Sequence, residues 1–179
     1  YFTSGAGITL AAVQEALAPH NQWLPLRPAL GLLRRTIGGI AATGAFGPER
    51  LAYGAPRELL LGLRFIDGRG RLINAGGKVV KNVAGYDMTR LVAGSAGTLG
   101  LITRVTMKTA TRPERCALVS ACGVPEACGS LAAQLLGSSI GAVFAAAAPD
   151  DGGEIWRMYV GFEGFGEAVA AQLDRAEAL

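Results

Sequence analysis

The sequence predicts an α+β chain built in two parts, and three observations carry that prediction. Helical apolar spacing alternates with short strand-like runs along the whole chain. A hairpin signal, DGRGR at residues 67–71, separates two of those runs. Composition then shifts at TATRPER, residues 109–115, and beyond it a separate strand–helix–strand–strand–helix order begins.

Residues 9–20, TLAAVQEALAPH, read as a helix: Thr9 can cap it, and Leu10, Val13, Ala16 and Leu17 share one face. Pro19 and Asn21 close it. The run Trp23-Leu24-Pro25-Leu26 is extended, because Leu24 and Arg27 each precede a proline. ELLLGLRFI, residues 58–66, is a strand, and RLINA, residues 71–75, returns from the DGRGR turn as its hairpin partner. YDMTRLVA, residues 86–93, is a short helix with Asp87 placed to cap it. GSAGTLG turns the chain into LITRVTMKT, residues 101–109, a strand with Val105 and Met107 on one face and Arg104, Thr106 and Lys108 on the other.

These assignments divide the chain into residues 1–112 and a small α+β domain over 113–179. In the second part the order is strand 116–122, helix 125–136, strand 140–147, strand 154–161 and helix 167–179. That β-α-β-β-α order is the ferredoxin-like order short of its last strand. With a first residue Tyr1 and a helical pattern running to Leu179, the chain reads as a piece of a longer one.

Composition narrows the function classes. Hydrophobic residues make up 50% and charged residues 17% of the 179 positions, which excludes a disordered chain. The net charge is +3, but the basic residues are scattered and no Lys/Arg run interleaves with aromatics, so nucleic acid has little to bind. The longest apolar run, 142–148, is too short for a membrane span. Cys116, Cys122 and Cys128 match no zinc or iron–sulfur spacing and favour a reducing compartment. Cys116 and Cys122 are expected as small buried hydrophobes in a strand, and no metal site is expected.

Three glycine-bearing stretches carry the chemistry: TIGGIAATGAFG (36–47), KNVAGYD (81–87) and GSAGTLG (94–100). Glycine lets backbone N–H groups face a ligand, and such groups suit a phosphate or the polar edge of a flat heterocycle. Small Ala and Thr keep the wall thin. None of the three is GxGxxG or GxxxxGK[ST], and each alone is more often a tight turn or a close backbone crossing. Lys78 and Lys81 face either an anion or solvent. His20, at the end of the first helix, suits a capping role, and Asp150-Asp151 lies in a solvated turn. Tyr86 is an active-site edge or a core tyrosine with a bonded hydroxyl.

Together, TIGGIAATGAFG, YGAPRELLLG, KNVAGYDMTRL and GSAGTLGLIT resemble the FAD-binding domain of the vanillyl-alcohol oxidase and p-cresol methylhydroxylase (PCMH-type) superfamily. Within it the pattern is most similar to the FAD-binding E subunits of bacterial glycolate oxidases. The resemblance is strong over residues 5–113 and weak beyond. It implies a partial PCMH-type domain followed by a truncated substrate-domain remnant. The superfamily's first phosphate-binding loop, a short Gly-rich run upstream of the first helix, has no counterpart here. Many relatives carry Glu where Ala96 stands.

By this resemblance Thr36, Gly38, Gly39, Ala42, Thr43 and Gly44 line the flavin and its pyrophosphate. Gly85, Tyr86 and Asp87 shape the neighbouring wall, and Lys81 and Asn82 are polar contacts. Gly97, Thr98, Gly100 and Ile102 meet the ribityl chain and ADP part, chiefly through backbone. The cofactor is then FAD and the reaction a flavin-dependent oxidation of a small 2-hydroxy acid such as glycolate to glyoxylate. The partners implied are a second FAD subunit and an iron–sulfur subunit. The location implied is cytoplasmic, with peripheral inner-membrane attachment through those partners. No motif supplies a catalytic base. A competing class is a non-catalytic assembly subunit that keeps the flavin fold without cofactor.

Overall fold

The computed structural model describes residues 1–27, 31, 34–77, 87–138 and 140–178, apart from the side chain of Leu136. Two compact units emerge, Tyr1–Gly47 with Gly54–Thr111, and Pro48–Tyr53 with Arg112–Leu179.

The first unit is built on an antiparallel sheet of four strands. Strands β1 (Phe2–Gly5), β3 (Leu60–Ile66), β4 (Leu72–Gly76) and β5 (Leu101–Met107) lie in the order β1-β5-β3-β4. One face is apolar because Leu63, Phe65, Ala75, Ile102, Val105 and Met107 all point to it. Helix α1 (Leu10–Leu17) covers that face with Leu10, Val13 and Leu17, and α2 (Ile37–Thr43) does so with Ile37, Ile40 and Ala41. Thr9 caps α1 by accepting from the Ala12 N–H at 3.2 Å. A 3-10 turn over Ala18–His20 follows, and Asn21 ends it in the left-handed region at φ 53°. The helix thus stops three residues before its expected end at position 20, since Pro19 has no N–H to continue it.

The extended run after α1 forms β2 (Gln22–Trp23), paired with β6 (Ala110–Thr111). Gln14 fixes it: its Nε2 donates to the Leu24 carbonyl at 2.7 Å, and its Oε1 accepts from the Leu24 N–H at 3.0 Å. That amide satisfies both backbone groups of a fully buried leucine.

Two strand expectations shift. Glu58 and Leu59 do not start a strand; they belong to a helical turn, α4 (Pro56–Leu59), with Pro at its first position and the Glu58 carboxylate accepting from the Ala55 N–H. Strand β3 therefore begins at Leu60. Thr106, expected on the polar face, is also buried, because β5 is flanked by β1 and β3 and the Thr106 hydroxyl meets that of Thr3 at 2.9 Å.

The second unit holds helix α3 (Arg50–Tyr53) and a three-stranded antiparallel sheet, β7 (Arg115–Gly123), β8 (Phe144–Pro149) and β9 (Trp156–Gly164), in the order β7-β9-β8. Its inner face carries Ala117, Val119, Met158, Val160 and Phe162 beneath α6 (Pro125–Gly137) and α7 (Gly166–Glu177). The sheet order is that of a ferredoxin-like fold. Strand β8 starts later than expected; Ile140 is buried in the core ahead of it, and the Val143 N–H donates to the Gly161 carbonyl at 2.8 Å. On the outer face the Tyr53 hydroxyl lies 3.3 Å from Glu163 Oε2.

The cysteine expectation is corrected here. Cys116 and Cys122 are exposed, because their register partners Glu163 and Arg157 place them on the sheet face away from the helices. Cys128, on α6, is the buried one, with its Sγ 3.6 Å from the Trp156 carbonyl.

Candidate cofactor site

The stretch TIGGIAATG is a helix rather than a loop wall. Thr36 caps α2 by accepting from the Gly39 N–H at 3.1 Å, and Gly44 ends it in the left-handed region at φ 66°. Few large side chains mark the run, so helical periodicity is faint; the helix is fixed from outside. The Ile37 N–H donates to the Ile8 carbonyl at 2.9 Å, the Gly38 N–H to the Ala6 carbonyl at 2.8 Å, and the Ile40 N–H to the Thr36 carbonyl at 2.9 Å.

All four N–H groups at the start of α2 are therefore used within the chain. They are not pointed at a ligand. Gly38 has its own structural reason: a Cβ there would stand 2.5 Å from the Cβ and 2.9 Å from the carbonyl oxygen of Ala6. The backbone of residues 6–8, which the sequence reading did not single out, passes directly over α2. Gly5 and Gly7 beside it were the available signal.

The other end of α2 meets the GSAGTLG turn. The Gly94 N–H donates to the Ala41 carbonyl at 2.9 Å, and the Ala96 N–H to the Ala42 carbonyl at 2.7 Å. The turn closes with Thr98 N–H to the Ser95 carbonyl at 3.0 Å. Ala96 and Gly97 both have positive φ, 52° and 82°, the pattern of a type I′ turn. Ala42, Thr43, Gly44, Gly97 and Thr98 are thus brought to one end of one helix, some 10 Å from Thr36 by helical rise. Gly100 serves packing: a Cβ there would lie 2.6 Å from the Ile66 carbonyl oxygen. Ile102 is 8% exposed and faces the core.

A flat heterocycle or a pyrophosphate needs outward donors, and this turn has them. Among the described residues the N–H groups of Gly97 and Leu99 have no acceptor. Beside Gly97 there is open space where a side chain would stand. The Ser95 hydroxyl oxygen is buried without a partner among the described residues, an orphan that a bound polar group would satisfy. Thr43 donates its hydroxyl to the Gly39 carbonyl at 2.7 Å and keeps its oxygen lone pairs outward. The residues at this end fit a flavin nucleotide; the start of α2 does not offer it backbone donors.

Asp87 caps α5 (Met88–Val92), with its Oδ1 accepting from the Arg90 N–H at 3.1 Å and from the Thr89 hydroxyl. The Thr89 hydroxyl, then the Arg90 N–H and guanidinium, hold its carboxyl below the ordinary 3.8. Asp87 is consequently an anion near neutrality. Lys78, Lys81, Asn82, Gly85 and Tyr86 lie outside the described residues. His20 is exposed in its 3-10 turn.

Known proteins place this geometry. Residues 1–76 match the family model described as FAD binding domain. Over 111 residues the chain is 42% identical to the glycolate oxidase subunit GlcE of Escherichia coli K12, covering 62% of this chain and 32% of that protein. It is 41% identical over 104 residues to the D-lactate dehydrogenase of Archaeoglobus fulgidus, covering 58% and 23%. It is 44% identical over 79 residues to the glycolate oxidase subunit GlcD of Bacillus subtilis, covering 44% and 17%. The chain thus spans a third or less of the length of these relatives. An alkyldihydroxyacetonephosphate synthase structure matches with a TM-score of 0.81 at 18% identity, over 98% of this chain and 37% of that one, and so shares the fold. Among the described residues no helix is long and apolar enough to cross a membrane. Over residues 1–76 the chain matches an FAD binding domain, and FAD is the cofactor that this match supports.

Proposed function

We propose that this chain is part of the FAD-binding subunit of a multisubunit 2-hydroxy-acid dehydrogenase of the glycolate oxidase kind. The observation that supports this most is the stitching of GSAGTLG onto the end of α2, which leaves the Gly97 and Leu99 N–H groups turned outward. The similarity to glycolate oxidase subunits and D-lactate dehydrogenases supports the substrate class.

FAD, when bound, supplies an acceptor for the hydride leaving the hydroxyl-bearing carbon of a 2-hydroxy acid, the hydroxyl proton passing to a base. The chain's own residues bind and orient. Gly97 and Leu99 offer backbone donors to the nucleotide and Thr98 closes the turn between them, while Ala42 and Gly44 keep the wall thin enough for close approach. Thr43 contributes hydroxyl oxygen lone pairs, and Ser95 a hydroxyl awaiting a partner. By the family resemblance Lys81, Asn82, Gly85, Tyr86 and Asp87 are further residues assigned to the cofactor. Thr36, Gly38, Gly39, Gly100 and Ile102 support the site by fixing α2 and β5 in place. The base and the carboxylate clamp come from outside these motifs, and the assembly adds a second FAD subunit and an iron–sulfur subunit. It works in the cytoplasm, held at the inner membrane by those partners.

The test is dye reduction by the assembled protein with glycolate, read together with the flavin content of this subunit. Glycolate-dependent reduction that tracks flavin occupancy of this subunit is expected. Full activity in an assembly whose copy of this subunit carries no flavin overturns the reading and leaves the non-catalytic assembly role.

A further inference from the structure

We propose that the outer face of the four-stranded sheet carries a binding site for a small oxyanion, a phosphate or carboxylate group held between Arg64 and Arg104. This face is opposite to the one covered by α1 and α2, so the site is separate from the flavin wall.

Three side chains stand in one row across the sheet. Arg64 on β3 pairs in register with Asn74 on β4 on one side and with Arg104 on β5 on the other. Two like charges directly opposite each other in a sheet are destabilising. Among the described residues nothing offsets them, since neither arginine meets a carboxylate. The residues outside that description include two lysines, Lys78 and Lys81, and no Asp or Glu. The Asn74 Oδ1 instead accepts from Arg64 Nε at 2.8 Å, which fixes the guanidinium and leaves its terminal nitrogens for another acceptor.

The neighbouring row makes the room. Gly62 pairs with Gly76 and with Thr106, so two of its three positions carry no side chain. A Cβ on Gly76 would lie 2.3 Å from the Leu61 carbonyl oxygen, so β3 and β4 approach too closely there for any other residue. The resulting hollow is about 130 Å³ and is lined by both arginines, Asn74 and Thr106. The hollow opens to solvent and has room for a group the size of a phosphate or a short carboxylate. A forked guanidinium matches either group through two parallel N–H donors.

Titration calorimetry and thermal unfolding of the full-length protein test this, with inorganic phosphate, sodium glycolate and sodium chloride at matched ionic strength. Phosphate or glycolate is expected to raise the melting temperature above the chloride control, and which of them does so names the oxyanion. Arg104→Gln should weaken that anion's Kd at least tenfold and abolish the rise. It should also raise the melting temperature without anion, because the repulsion is gone; a merely structural arginine would lower it. Arg104→Lys, which keeps the charge, should recover part of the binding. Anions that act no differently from chloride on the wild type, or a rise that survives Arg104→Gln, overturn the proposal. The second outcome also separates it from anion binding at the flavin wall.

Discussion

Replacing Gly38 by alanine separates two explanations of the glycines in α2. If Gly38 exists to let a cofactor approach, alanine should improve the apoprotein, since alanine is better than glycine in a helix interior by about 1 kcal/mol. The structure argues otherwise. The new Cβ would stand 2.5 Å from the Ala6 Cβ, where ordinary contacts run 3.4–4 Å, so one backbone must yield by about 1 Å. Ala6 is held on both sides, its N–H donating to the Thr103 carbonyl at 3.0 Å and its carbonyl accepting from Gly38 at 2.8 Å. Movement therefore strains a hydrogen bond that closes α2 onto the sheet, at roughly 1 kcal/mol. Overpacking adds about 1–3 kcal/mol. After the helix-propensity gain the net loss is about 1–3 kcal/mol, or roughly 4–12 °C in Tm for a domain near this size. Gly39→Ala is the control: its Cβ meets only the Thr36 hydroxyl, at 3.0 Å. There a weakened cap and a better helix former offset each other to within about 1 kcal/mol. Thermal unfolding of the flavin-free protein reads both. A Gly38→Ala protein as stable as wild type, or more so, refutes the backbone-crossing account.

Three further outcomes follow from the same geometry. Ala96→Gly should stabilise the protein by about 1 kcal/mol, because alanine at φ 52° stands in a region that costs an L-residue roughly 1–2 kcal/mol; a denaturant midpoint that falls contradicts it. Gln14→Ala should cost about 1–3 kcal/mol, since it strands the N–H of buried Leu24, whose carbonyl keeps the Leu26 N–H at 2.7 Å, read as a lower denaturant midpoint with unchanged slope. Asp67 accepts from the Arg71 N–H at 2.9 Å, from its guanidinium at 2.8 Å and from the Arg69 N–H at 2.9 Å, which lowers its carboxyl below 3.8. A folded-state value below the unfolded one means stability that is present above pH 3.8 and lost as pH falls through the folded value. Asp67→Asn should therefore flatten part of the acid limb of the stability–pH curve, and an unchanged limb would contradict it.

Where local chemistry decides an element, the sequence was readable. Thr9 and Asp87 cap the helices they precede, and DGRGR closes the hairpin through Asp67. Elsewhere distant backbone decides. Helix α2 has a glycine pair and few large side chains, and its N–H groups are bound by Ala6 and Ile8, some thirty residues away. No local pattern reports such a crossing. Glu58 and Leu59 carry strand-like apolar neighbours, yet Pro56 and the Glu58 carboxylate turn them into a helix. Cys116 and Cys122 lie on a strand whose apolar neighbours hid which face they take; the register with Glu163 and Arg157 settles it. At the candidate site the sequence supplied the motifs but not the division of labour within them. The start of α2 is internally bonded, and the donors left outward belong to the GSAGTLG turn.

The account stands most directly on whether FAD binds where the GSAGTLG turn meets α2. Thermal unfolding of the full-length protein with and without added FAD, alongside its visible flavin absorbance, reads this. A yellow protein is expected, stabilised by about 2.7 kcal/mol at FAD a hundredfold above Kd, with the gain reduced in Gly97→Val, which blocks the turn's open side. A colourless protein whose melting temperature FAD leaves unchanged would contradict the account.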